Sequence, residues 1–403
     1  MTAMQPKPFD SRKLGMRQTP FYPRQMDWTI TNDWLLWAGY TSPGSLDVVE
    51  QEYFAIRNSA TVFDITPMCK YRVSGPEAEL FLNRLVTRDI RKMRDNRVSY
   101  VIWCDDEGHM LDDGTVFKYS NTEYRLCCQE RQYDWLTDNA IGLNVEIQDV
   151  TDDIAALAFQ GPTTCRILKN LGLAGVEEMK PFDIREFPFG KGTLSVSRTG
   201  FTGDLGYELW IDPEQALDLW DTLFEAGRHY DIRPIGSHAL DLARMEAGLL
   251  QPNVDFQSAE FTLRHSRRRS PFEIGMEWQV DFTKGHFNGR RALLKEKQQG
   301  TSKYCLVGLD IEGNKPAHAA LIYHRQKKEI GRITSAMWSP TLKTNIALAE
   351  LKRPFGIDQK EDIWVEIYVD KEMKWERVMA RARIVSTPFF APARKNQTPP
   401  ADY

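Results

Sequence analysis

The run Gly190-Lys-Gly-Thr-Leu-Ser-Val-Ser-Arg-Thr-Gly-Phe-Thr-Gly-Asp-Leu-Gly-Tyr-Glu-Leu-Trp-Ile-Asp212 decides how the rest of the chain is read. Leu194 and Val196 alternate with Ser195 and Ser197, and Tyr207, Leu209 and Ile211 alternate with Glu208 and Trp210, so two strands flank a loop. Gly200, Gly203 and Gly206 fall at every third position between them, which lets the chain turn and a ligand approach its backbone. Glu208 stands two residues past the last of these glycines, at the mouth of a strand. By itself the stretch also fits an ordinary hairpin with a long loop.

Working outward, a strand–Gly-Pro–helix unit occurs twice. Lys70 to Val73 reads as a strand, and Gly75-Pro76-Glu77 opens a helix bearing Leu80, Phe81, Leu85 and Val86. Ala155 to Gln160 reads as the second strand, and Gly161-Pro162 opens a helix bearing Cys165, Ile167, Leu168 and Leu171. Proline suits a first helical turn because its missing N–H would be unpaired there. The repetition predicts a duplication into two related α+β halves.

Between the two copies, residues 100–117 read as a hairpin turning at Gly108, with Asp112 and Asp113 interrupting its second apolar run. Carboxylates are rarely buried without a partner, so the pair reads either as a solvated turn neighbour or as a functional site.

The run 197–208, Ser-Arg-Thr-Gly-Phe-Thr-Gly-Asp-Leu-Gly-Tyr-Glu, resembles the signature of the aminomethyltransferase family. That family comprises the T-protein of glycine cleavage and relatives that move one-carbon units to or from tetrahydrofolate. The resemblance extends from about Thr19 to Phe390 and takes in Gln160-Gly161-Pro162, the segment 233–248, the segments 270–278 and 286–293, and 331–342. It implies that Asp113 is the catalytic carboxylate and that Tyr100 is an active-site tyrosine. Within 233–248, Asp241, Arg244, Glu246 and Gly248 match the family pattern.

Tetrahydrofolate is the implied cofactor. A reduced pterin presents two adjacent N–H donors, and one carboxylate offers two coplanar acceptors to match them. Glu208 fits that role; Tyr100, Phe201 and Trp278 are candidate walls for the flat ring, with core packing as the alternative for each. Arg244 completes the expected binding set. One-carbon transfer of this kind needs neither a metal nor a covalent enzyme intermediate, only positioning and electrostatics.

Two departures bear on the donor. Leu240 occupies the place of a T-protein arginine, and Pro67 replaces a histidine. With the additional segment near 257–270, they favour the branches that demethylate small sulfonium, amine or aryl ether compounds. A lipoyl carrier protein is then not the expected partner. The glycine-cleavage aminomethyltransferase itself is the alternative reading, and a non-catalytic folate-binding protein a further one. The basic run 264–270 reads as a solvated loop or as a landing patch for an anionic tail.

Composition sets outer limits. The 403 residues carry a formal net charge of −4, with 42% hydrophobic and 27% charged side chains, which disfavours a general nucleic-acid binder. No apolar run approaches membrane length, and the six cysteines and seven histidines show no metal-ligand spacing. A cytoplasmic protein with free thiols is expected. The expected organisation is a wrapping segment over 1–45, a folate-binding body over 46–295, a polar linker from Lys295 to Lys303, a small C-terminal β-barrel over 304–386 and a disordered tail over 387–403.

Overall fold

The computed structural model describes residues 17–358 and 360–397. Two antiparallel-rich sheets and a closed barrel make up its architecture. The six-stranded sheet runs in the order Ile184–Phe189, Gly192–Ser197, Gly206–Ile211, Ala155–Gln160, Ala60–Asp64 and Ile232–Pro234, the last pair parallel. The five-stranded sheet runs Arg97–Cys104, Met110–Ser120, Glu123–Cys128, Cys69–Ser74 and Glu146–Asp149.

The duplication is visible in the backbone. Gly75 has φ +126° and Gly161 φ +128°, and a Cβ on either would meet a main-chain oxygen of a neighbouring segment, Asn144 at 2.7 Å or Ser59 at 2.4 Å. Glycine is required at both places for the same reason. Pro76 and Pro162 lie in the turns that follow, and the helices begin slightly later than the sequence suggests, at Ala78–Leu85 and Thr164–Asn170.

Side-chain alternation sorts the layers. Tyr207, Leu209 and Ile211 point into an outer core with Leu168, Leu219 and Leu223 from the covering helices. Trp210 points the other way, into a layer between the sheets that includes Phe63, Phe117, Cys127 and Ala158. Helices Val49–Asn58 and Ser237–Glu246 pack into the same layer through Tyr53, Ile56, Ala239 and Ala243.

Six strands, Tyr304–Ile311, Thr344–Lys352, Lys328–Ser339, Leu321–His324, Ile363–Lys371 and Lys374–Val385, close the C-terminal barrel in that order. The barrel meets the body through Met337, Ile346 and Leu348 against Ile102, Met110, Met245 and Phe287.

Two expectations change. The polar stretch from Lys295 begins inside a helix, Arg290–Gln299, which is anchored by the fully buried Leu293, so polarity along its exposed faces hid it. The tail expected to be disordered is packed as far as Gln397. Phe390 N–H donates to Glu246 O at 2.8 Å, and Arg394 grips Asp204 with Nε–Oδ1 at 2.6 Å and Nη2–Oδ2 at 2.8 Å. Its last residues, 398–403, lie outside the described residues, as do residues 1–16 of the expected wrapping segment. From 17 to 45 the chain forms helix Tyr22–Trp28 and the hairpin Asp33–Trp37/Tyr40–Ser45, with Phe21 buried in the outer core.

Candidate active site

A cavity of about 1000 Å³ opens between the two sheets, helix Ser237–Glu246 and the barrel. Asp113, Tyr100, Glu208, Phe201, Arg244 and Trp278 all line it, so residues spread over much of the sequence converge on one space.

Asp113 sits on the return strand of the 100–117 hairpin, opposite Ile102 in register. Tyr100 Oη donates to its Oδ2 at 2.5 Å. Burial pushes the Asp113 carboxyl up to about 6, against the Tyr100 hydrogen bond, which pulls it down. Asp112 is not a solvated neighbour. It is fully buried, and its Oδ1 accepts the Asp113 N–H at 2.8 Å. Burial, then the charge of Asp113, pushes the Asp112 carboxyl far above its usual range. Only Asp113 of the two lines the cavity, as strand alternation requires.

Glu208 is partly buried on the strand opposite Ser197. Thr199 Oγ1 donates to its Oε2 at 2.6 Å, with Ser197 Oγ at 3.3 Å. Burial raises this carboxyl, while Thr199, Ser197 and the charge of Arg125 oppose the rise. Ser197 and Thr199 lie within the glycine-rich stretch, two positions apart, but alternation did not mark them as partners of Glu208.

Gly200 lines the cavity, and the glycines also make room for a neighbouring side chain. A Cβ on Gly200 would lie 2.0 Å, and on Gly206 2.2 Å, from Oε1 of Gln160. The Gln160 amide fills that space, donating to Thr199 O at 3.2 Å and Tyr207 O at 3.1 Å while Thr202 Oγ1 donates to its Oε1 at 2.9 Å. Gly203 has φ +70°, and a Cβ there would stand 2.3 Å from the Ala247 methyl. The loop is thus pinned by the glutamine of Gln160-Gly161-Pro162 and by Ala247, just past the end of helix Ser237–Glu246.

The Tyr100 and Trp278 rings stack with centroids 6.1 Å apart at 29°, and Trp278 is 67% exposed, so its role is not core packing. Phe201 is partly buried in the pinned loop. Arg244 is 1% exposed and spends its N–H groups on the protein: Nε on Asp241 at 2.6 Å, Nη1 on Leu249 O at 3.1 Å and on Asp255, and Nη2 on Ser335 Oγ at 3.1 Å. It forms part of the cavity wall while tying the body to the barrel. Glu246 is a second tie, accepting from Tyr53, Arg57 and Ser339.

Leu240 and Asp241 line the cavity; so does Met68, beside Pro67. None of residues 264–270 does. Within that run Arg269 is buried against Glu350, and Arg264 and Arg267 are exposed. Lys395 from the packed tail and Leu35 and Trp37 from the N-terminal hairpin also line the cavity, and sequence patterning gave no sign of them. Outside the cavity, Asp105, Glu107 and His109 gather at the hairpin tip. No helix among the described residues is long and apolar enough to cross a membrane.

The chain belongs to the aminomethyltransferase family of tetrahydrofolate-dependent enzymes: residues 15–284 match the GCVT N-terminal domain, and residues 305–391 match the glycine cleavage T-protein C-terminal barrel domain. A relative from Caldanaerobacter subterraneus subsp. tengcongensis, called aminomethyltransferase, is 38% identical over 317 residues, 77% of this chain and 82% of its own length. A second aminomethyltransferase, from Thermotoga neapolitana, is 32% identical over 379 residues, 93% of this chain and 98% of its own. The crystal structure of the glycine cleavage system aminomethyltransferase T from Bartonella henselae has the same fold, with a TM-score of 0.80 at 23% identity, covering 94% of this chain and 99% of that one.

Proposed function

We propose that this chain transfers a one-carbon unit from a heteroatom donor to N5 of tetrahydrofolate. The observation that carries the reading is that Asp113 and Glu208, from different sheets, open onto one aromatic-walled cavity. Glu208 accepts the two adjacent N–H groups of the pterin edge, with Thr199 fixing the carboxylate's orientation. Tyr100 and Trp278 form a wall for a flat ring. Asp113 stands beside the reacting carbon, where its anionic form stabilises a cationic donor and helps route the N5 proton. Tyr100 fixes its orientation.

The donor is read first as an aminomethyl group on a lipoyl arm, because the relatives are called aminomethyltransferases. The preference drawn from the sequence for a small-molecule demethylase finds no support in those relatives. It survives as a second reading on one observation: the apolar side chain of Leu240, in place of the T-protein arginine, lines the cavity. A cytoplasmic setting fits either donor.

Purified protein would be incubated with tetrahydrofolate and either an aminomethyl-lipoyl carrier or methylated sulfonium, amine and aryl ether compounds. Ammonia with 5,10-methylene-tetrahydrofolate from the carrier alone supports the first reading; 5-methyl-tetrahydrofolate from a small donor supports the second. No folate product and no folate binding would overturn both.

A further inference from the structure

Arg125 is a buried cation facing the layer between the sheets to which the folate reading gives no work. It is 6% exposed, and among the described residues its Nε and Nη2 find no acceptor, its side-chain contact being with the Cys127 thiol. No ion pair holds it among the described residues. Its guanidinium lies 4.2 Å from the centroid of Phe117 on one sheet and 4.2 Å from that of Trp210 on the other. Stacking on two rings offsets part of the cost of burying a cation but leaves its charge uncompensated.

That charge connects to the pterin anchor. Trp210 Nε1 donates to Ser197 Oγ at 3.0 Å, Ser197 Oγ lies 2.7 Å from Thr199 Oγ1, and Thr199 donates to Glu208 Oε2 at 2.6 Å. Ser197 Oγ also lies 3.3 Å from the same Glu208 oxygen, so its one proton reaches the carboxylate either through Thr199 or directly. All three donors in this line point one way and end on the carboxylate, which is the arrangement an anion orders. Trp210 and Glu208 lie on the same side of their strand, so the ring against which Arg125 stacks and the carboxylate face the same layer.

We propose that Arg125 is a positioning residue for tetrahydrofolate, supplying the positive field that keeps Glu208 an anion and holding Trp210 at the head of the donor line that orients it. The proposal rests on the reading of Glu208 as the pterin anchor. A protonated Glu208 would turn one acceptor into a donor facing a donor, so the charge state decides binding.

Besides Glu208, the titratable groups that interact with Arg125 are Lys70 from the adjacent strand, the Cys127 thiol and Tyr119, and Arg72 stands opposite it in register. Lys70 donates to Thr66 O and Met68 O, and Glu123 pairs with Arg72, so each has its own work. The charge of Arg125 opposes the burial-driven rise of the Glu208 carboxyl, which agrees with the geometry.

The test measures tetrahydrofolate affinity as a function of pH for the wild type, Arg125→Met, Arg125→Lys and Glu208→Gln. Methionine preserves bulk and removes charge, so the acid limb of binding should move to higher pH by about one unit, roughly tenfold in affinity on that limb. Affinity should recover as pH rises. Arg125→Lys should keep the wild-type midpoint, and Arg125→Met should add no pH dependence in a Glu208→Gln background. An unmoved midpoint in folded Arg125→Met overturns the proposal. If that variant does not fold, Arg125→Lys decides: a moved midpoint there overturns it, and a wild-type midpoint supports it. Normal folate binding by Glu208→Gln would instead overturn the anchor reading itself.

Discussion

The Tyr100 hydroxyl donates to Asp113 across the two strands of one hairpin, at 2.5 Å, while the same Tyr100 ring stacks on Trp278. One residue therefore sets both the orientation of the carboxylate and the face of the ring wall. Asp113→Asn should keep folate binding and lose turnover by about 10²–10⁴, the usual range for a group acting on the reacting centre. Asp112→Asn should cost far less, since Asp112 does not line the cavity. Single-turnover kinetics on both variants decides the matter; a larger loss at position 112 would reverse the assignment.

The pH dependence follows from Asp113 as well. Its carboxyl is pushed up to about 6, so turnover that needs the anion should fall as pH drops through that value. The Tyr100 hydrogen bond favours the anion, so Tyr100→Phe should move the acid limb of the rate profile to higher pH. A limb that stays in place in Tyr100→Phe would separate the two residues.

The same shift bears on stability. The native state holds the Asp113 proton more tightly than the unfolded chain, whose carboxyl titrates near the ordinary aspartate value. Stability from this group is complete below that ordinary value and is lost as pH rises towards about 6. Asp113→Asn should therefore be more stable than the wild type at pH 7, by on the order of 1–3 kcal/mol. Denaturation at pH 4 and pH 7 checks it: the advantage of the variant should shrink at the lower pH.

For Glu208, replacement by glutamine turns one acceptor into a donor facing a pterin donor. Tetrahydrofolate affinity should weaken by about 2 kcal/mol or more, close to thirtyfold. Calorimetry showing wild-type affinity would remove Glu208 from the site.

Gly203→Ala tests the pinned loop. The new methyl would meet Ala247 at 2.3 Å, with a backbone φ of +70° that alanine rarely adopts. A loss of about 2 kcal/mol or more is expected in thermal unfolding. Adding Ala247→Gly should recover part of it, the steric part, and no recovery would place the cost in the backbone alone.

The parts of this architecture that repeat locally were readable in the sequence. Alternation around Glu208 and the two Gly-Pro units predicted two flanking strands and a duplicated body, because each depends on neighbours a few positions apart. Gly200 and Gly206 show the limit. Their spacing signals an open backbone, yet the Gln160 amide that occupies the space arrives from another strand. Arg244 shows it too: a motif match cannot reveal that Asp255 and Ser335 use up a guanidinium. Arg125 carried no local signal at all, since its significance lies in the two rings brought to it from opposite sheets.

The grip of Arg394 on Asp204 joins positions 190 residues apart, and Arg394 also donates to Arg57 O, 337 positions away. Contacts of such long range form late, after the loop-closure entropy has been met by the nearer pairings. The loop that carries Phe201 and leads to Glu208 is therefore held at Asp204 by the segment following the barrel, in addition to Gln160, Ala247 and Arg57. In a refolding experiment the two sheets and the barrel would appear first and folate binding afterwards. On the proposed reading, competence to bind folate would then belong to neither domain by itself.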